Sequence, residues 1–192
     1  MKGLNYAQIA IFFIQHIIIL EVKVLIENID TERLQLRKME KADAKSLLAI
    51  WSDSDVTKYM NITQFTQEEQ ALEMIELLEQ LAKQHKAIRF SIFEKASKHI
   101  IGSCGFNMLD YDNALTEIGY DLGKEYWGKG YATEAITALI DYAFKHLKME
   151  TIAAEVDAAN INSIKVLKKL NFIYQEKHNT EDTLQLYTLT KS

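Results

Sequence analysis

The 192-residue chain has no proline and a single cysteine, Cys104. Without proline, its turns must rely on Gly, Asn, Asp and Ser. One cysteine excludes an intramolecular disulfide framework and fits a reducing compartment. The histidines at 16, 85, 99, 146 and 178 show no zinc-type spacing with it, so no metal is expected. An excess of basic residues is also missing: 22 Lys+Arg against 27 Asp+Glu gives a formal net charge of −5. A duplex nucleic-acid binder would normally show a basic face. The apolar run AQIAIFFIQHIIIL (7–20) contains Gln8, Gln15 and His16. It falls short of the roughly 20 apolar residues that a membrane span requires. Glu21, Lys23 and Glu27 follow where a signal cleavage site should lie. The expectation is a soluble, cytoplasmic protein with neither a membrane nor a nucleic acid as partner.

What is present suits one folded domain with an appendage: 48% of residues are hydrophobic and 26% charged. Residues 18–27 alternate as a strand, and the break in character lies near residue 28. Residues 1–28 are therefore read as an extension and 29–192 as the domain. An exposed apolar strand is an aggregation hazard, so 7–27 are expected to add a strand to the domain or to a second subunit in a homodimer. Within the domain, 33–37 alternate as a strand and 40–51 read as a short helix. Thr66-Gln-Glu-Glu69 forms a capping box before a helix carrying Ala71, Met74, Ile75, Leu78, Leu81 and Ala82. Strands are predicted at 89–93, 99–107 and 115–122, with a turn at Asp110–Asn113. A helical stripe from Ala132 to Leu147 follows, then a strand at 151–156, a helix at about 161–169, and strands near 172–176 and 183–190. This order predicts an α+β (mixed α/β) domain, its sheet mostly antiparallel with a parallel element in the second half.

The stretch EYWGKGYATEA (125–135) joins a strand to the long helix through two glycines. Helix N-termini leave amides unpaired and carry partial positive charge, and glycine lets a ligand approach them. Strand, glycine-rich turn and helix together make an anion site suited to phosphate or pyrophosphate. The bland alternative is a tight turn with no ligand. The loop lacks the Walker A pattern, and Thr133 stands where a dinucleotide fingerprint needs glycine.

The stretch TEIGYDLGKEYWGKGYATEA (116–135), followed by NINSIKVLKKLNF (160–172), resembles the GNAT superfamily of acetyl-CoA-dependent N-acetyltransferases. The likeness is strongest to its ribosomal-protein N-terminal acetyltransferase branch, RimJ/RimL-like. TERLQLRKMEKADAKSLLAIWSDSDVTKYM (31–60) is similar to that branch's opening, so the resemblance covers about 30–190. It implies a GNAT fold with about seven strands flanked by helices. It also implies acetyl-CoA as cosubstrate and an amine acceptor, a protein N-terminus or alternatively a small amine such as a polyamine, amino acid or aminoglycoside. A binding module without turnover is a different reading. The family's loop pattern, Gln/Arg-x-x-Gly-x-Gly/Ala, falls on Trp127, Gly130 and Ala132. Trp127 departs from it, which removes a side-chain phosphate contact. The pyrophosphate would then be held by the amides from Gly128 through Lys129, Gly130, Tyr131 and Ala132 to Thr133. Lys129 would be a peripheral helper, and the pantetheine arm would follow the backbone from Tyr120 to Leu122.

Acetyl transfer to an amine needs a proton acceptor, an oxyanion donor and a proton for the departing thiolate. The resemblance makes Glu117 a candidate general base, against an ordinary solvent-facing strand glutamate. Leu167 stands where many relatives carry a tyrosine acid. The resemblance to the ribosomal branch implies a serine of the Asn-x-x-Ser segment near the sulfur, here Ser163, against simple helix capping or a water as acid. Asn160 resembles the residue that bonds the pantetheine arm, and it too could be a cap. Asn171 replaces a usual glycine and tolerates the left-handed conformation. Cys104 is read as a small buried hydrophobe. Trp51, Tyr59 and Phe106 belong to the core or line an acceptor pocket, and Glu134 complements the dipole of its helix.

Overall fold

A computed structural model describes residues 28–176 and 183–191. The extension strand predicted at 18–27 lies outside the described residues. Among the described residues, eight strands form one sheet in the order β1-β2-β3-β4-β5-β6-β8-β7. They are β1 (Asn28–Asp30), β2 (Leu34–Lys38), β3 (Ile88–Glu94), β4 (Ile100–Asp110), β5 (Leu115–Leu122), β6 (Thr151–Asp157), β7 (Ile173–Gln175) and β8 (Leu184–Thr190). The strand beyond the seven expected is β1. Its three residues are too short to carry a period-two pattern, yet they pair antiparallel with β2. All neighbours are antiparallel except β5 and β6.

Five α-helices accompany the sheet among the described residues: α1 (Ala44–Trp51), α2 (Ser54–Thr57), α3 (Glu68–Lys83), α4 (Tyr131–Lys145) and α5 (Ile161–Lys169). The cap of α3 differs from the sequence reading. Gln67 is the capping residue and Gln70, not Glu69, closes the box. The Gln70 carboxamide oxygen accepts from the amides of both Gln67 (3.1 Å) and Thr66 (2.8 Å), which sets the helix start one residue later.

Strand alternation sends two kinds of side chain to the two faces. Leu34, Leu36, Ile88, Phe90, Ile92 and Cys104 pack into one buried cluster with Ala135, Ile136, Leu139 and Ala143 of α4. The Cys104 thiol is pushed up to about 12 by burial, which fits a core side chain rather than a nucleophile. On the opposite face stand Arg89, Ser103 and Asp121, bonded to one another and to Trp51 of α1. A second apolar cluster binds α1 to α3 through Leu47, Ile50, Trp51, Ala71 and Ile75.

Two irregularities open the middle of the sheet. The β4–β5 register shifts between Phe106 and Met108, which leaves Asn107 as a bulge residue. Such a bulge sharpens local twist. On its other side, β5 pairs with β6 only at Leu115, Thr116 and Glu117. Beyond those rungs the two parallel strands part, and β6 continues paired to β8 alone. The β5 edge from Ile118 to Leu122 therefore faces a wedge-shaped gap.

Candidate active site

Two cavities meet in this gap. One, of about 460 Å³, is lined by Tyr120, Leu122, Trp127, Gly128, Gly130, Tyr131, Ala132, Thr133, Asn160 and Ser163, among others. It gathers every residue expected to hold the cofactor except Lys129. The second, of about 530 Å³, is lined by Glu117, Arg89, Asn107, Glu155, Asp157 and the apolar side of α3. Tyr59, Met60, Tyr120, Asp121, Asn160 and Ser163 line both, so they form the passage between them. Tyr59 lies at that passage, its hydroxyl donating to the Ala159 carbonyl at 3.3 Å. Trp51 and Phe106 are buried core residues that reach the wall of the second cavity.

The loop owes its shape to glycine conformation. Gly128 and Gly130 have φ of +72° and +83°, a region that side chains disfavour. Gly130 caps α4, and the first bond of the helix runs from the Glu134 amide to the Gly130 carbonyl at 3.1 Å. The amides of Tyr131, Ala132 and Thr133 precede that bond and have no intrahelical acceptor. At Gly128 a Cβ would meet nothing within 4 Å, so the surface there is open to a ligand. Trp127 turns its indole N–H back to the Leu122 carbonyl at 2.8 Å, fastening the loop to the end of β5. The Lys129 ammonium lies 5.4 Å from the Tyr126 ring centroid, and its side chain does not line the cavity.

Arg33 braces this loop, a role invisible in the sequence. Its Nη1 donates to the Lys129 carbonyl (2.9 Å), its Nε to Glu134 (2.7 Å), and its guanidinium lies over the Tyr131 ring. Glu134 also accepts from the Arg33 amide and the Thr31 hydroxyl, so it does more than complement a dipole. Burial works against the charged Glu134 carboxyl, but the bonds from Thr31 and Arg33 outweigh it and hold the carboxyl below its usual range.

At the passage, the Tyr120 and Ser163 hydroxyls are 2.9 Å apart. Burial pushes the Tyr120 phenol up, and the bond to Ser163 offsets only part of that. The Ser163 amide donates to the Asn160 side-chain oxygen at 3.2 Å, so Asn160 caps α5. Ser163 itself is not the cap, and its hydroxyl is directed toward Tyr120. Leu167 is buried.

Glu117 lies at the last paired rung of β5, where the gap begins. Its carboxylate accepts from Asn107 Nδ2 at 3.0 Å, and Asn107 Oδ1 accepts from Arg89 at 2.9 Å. Arg89 continues to Asp121 at 2.8 Å, and Asp121 to the Trp51 indole at 3.2 Å. A Cβ at residue 119 would stand 2.6 Å from Asn107 Nδ2, so Gly119 is what lets the bulge residue lie across β5. The sequence reading missed Asn107, although an asparagine inside a strand is a weak signal in itself.

Comparison identifies the family to which this forked sheet, with a glycine-shaped helix start at its opening, belongs. Residues 33–173 match the acetyltransferase (GNAT) domain model, so the chain belongs to the GNAT family and is an N-acetyltransferase. The chain is 52% identical over 146 residues to the uncharacterized N-acetyltransferase p20 of Bacillus licheniformis, covering 76% of this chain and 82% of that one. The spermidine N(1)-acetyltransferase of Vibrio cholerae is 25% identical, covering 78% and 84%. Among solved structures, the ribosomal L7/L12 alpha-N-protein acetyltransferase RimL in complex with coenzyme A superposes with a TM-score of 0.77 at 18% identity, covering 85% and 98%. Among the described residues there is no group of metal-ligating side chains, and no helix is long and apolar enough to cross a membrane.

Proposed function

We propose that the protein transfers acetyl from acetyl-CoA to the α-amine of a protein N-terminus, as a cytoplasmic enzyme. The observation that carries this reading is the meeting of two cavities at Tyr120 and Ser163: a glycine-rich, amide-lined one and an acidic one. The first fits a pyrophosphate-bearing cosubstrate, since its loop offers unpaired amides and open space at Gly128. When bound, acetyl-CoA supplies the activated acetyl thioester.

The chain's own residues then divide the work. Glu117, on the acceptor side, takes a proton from the ammonium directly or through water. Asn107 holds its carboxylate toward the gap. The unpaired edge of β5 between Tyr120 and Leu122 lines the channel that an extended pantetheine arm would follow. The Ser163 hydroxyl passes a proton to the departing sulfur as it takes one from the hydrogen-bonded Tyr120 phenol, and the phenol, whose charged form burial disfavours, regains its own proton from solvent in the cavity. Asn160 holds the start of α5, so Ser163 stays at the passage. A small-amine acceptor is the second reading, favoured by the acidic wall alone.

The test is thiol release from acetyl-CoA with peptides and small amines. Glu117→Gln is expected to lower turnover by about a hundredfold or more, with coenzyme A affinity unchanged. Unchanged turnover would reject the role of Glu117. Tight acetyl-CoA binding without any acceptor-dependent thiol release would make this a binding module.

A further inference from the structure

The acceptor cavity has two unlike walls. On one stand Glu117, Glu155, Asp157 and Asp121; Glu117 accepts from Asn107, Asp157 from the Ala159 amide, and Asp121 from Arg89 and Trp51. Arg89 is the only cation among the described residues lining it, and its bonds go to Ser103, Asn107 and Asp121. On the other wall stand Ile62, Met74, Leu77, Leu78 and Leu81. Positions 74, 77, 78 and 81 share one stripe of α3. Its glutamates at 68, 69, 73, 76 and 79 do not line the cavity. Leu77 is 50% exposed, an apolar surface turned into a cavity rather than into a core.

Resting on the acetyl-transfer reading above, we infer that the acceptor is a primary amine with a bulky apolar group beside it and no carboxylate nearby. In a protein this is an N-terminus whose first side chain is large and aliphatic or aromatic. Charge complementarity sets the orientation: the ammonium enters among Glu117, Glu155 and Asp157, and the side chain lies on the α3 stripe. A free amino acid would bring its carboxylate among those acids, and Arg89, the single lining cation among the described residues, has its hydrogen bonds committed. A polyamine extending along the stripe would lay a second ammonium on leucine and methionine carbons, an uncompensated desolvation.

The experiment uses the full chain, acetyl-CoA, and peptides identical from their second residue onward, beginning with Leu, Phe, Ser or Asp. Leucinamide, free leucine and spermidine complete the panel. Leu- and Phe-first peptides should exceed Ser- and Asp-first ones in kcat/KM by about tenfold or more. Leucinamide should be acetylated and free leucine should not. Leu77→Ser, at a half-exposed position that leaves the fold intact, should bring the Leu and Ser peptides together without changing coenzyme A affinity. Equal or better use of Ser- or Asp-first peptides, free leucine or spermidine would overturn the inference while leaving acetyl transfer in place. No acceptor-dependent thiol release with any amine would overturn both.

Discussion

Asn107 is an extra residue in its strand, and its carboxamide joins Glu117 to Arg89. A carboxylate at the edge of a gap has many rotamers, and the Asn107 bond selects one that a proton transfer can use. Asn107→Ala is expected to lower kcat roughly tenfold while the KM for acetyl-CoA stays put. In a Glu117→Gln background the same change should cost almost nothing more, because the two act as a unit. Equal losses in both backgrounds, measured by steady-state thiol release, would sink the positioning role. Asp121 belongs to the same chain of contacts but answers a different question. It is 5% exposed and bonds both Arg89 and Trp51. Removing it strands a mostly buried guanidinium, at about 3–5 kcal/mol of stability. Asp121→Ala should therefore show itself in a urea melt before it shows in kinetics.

At the scale of elements, the cofactor loop is held by the turn between β1 and β2, through Arg33 and its partner Glu134 of α4. Arg33→Ala should raise the KM for acetyl-CoA more than Lys129→Ala does, since Arg33 fixes a loop carbonyl and Lys129 lies on a neighbouring ring. A bulky residue at Gly130, with its φ of +83°, should nearly abolish cofactor binding. Isothermal titration of the three variants ranks them, and a Lys129 effect equal to that at Gly130 would reverse the division of labour. The clamp also predicts a pH dependence. The folded Glu134 carboxyl titrates below its usual 4.5, so its contribution is complete above that value and fades as pH falls through the lower folded one. The stability gap between wild type and Glu134→Gln should hold from neutral pH down to about 5 and narrow below about 4. The loop itself was legible in the sequence because Trp127 to Thr133 are contiguous and glycine announces its own conformation. Arg33 was not, because its partner Glu134 lies 101 residues away and neither residue has a local pattern pointing to the other.

At the scale of the whole molecule, the element order was readable because helix and strand periods are local. Seven of the eight strands and the four longer helices follow hydrophobic spacing seen along the chain. The gap between β5 and β6 was not readable. It depends on where a parallel pairing stops, and Ile118 to Leu122 read as ordinary strand up to the last residue. The acceptor-side network was hidden for a related reason: Trp51, Arg89, Asn107 and Asp121 come from α1, β3, β4 and β5, and only the folded sheet brings them together. The three-rung junction between β5 and β6 has a further, thermodynamic consequence. It makes the sheet two plates, β1–β5 and β6–β8, sharing a narrow seam. A ligand that bridges the seam acts as a strut, and its binding energy appears as cooperativity between plates that would otherwise open separately. Amide exchange in β6 and β8 should slow on saturation with coenzyme A by a larger factor than in β2 and β3. Uniform slowing across all four strands would mean that the plates already open as one.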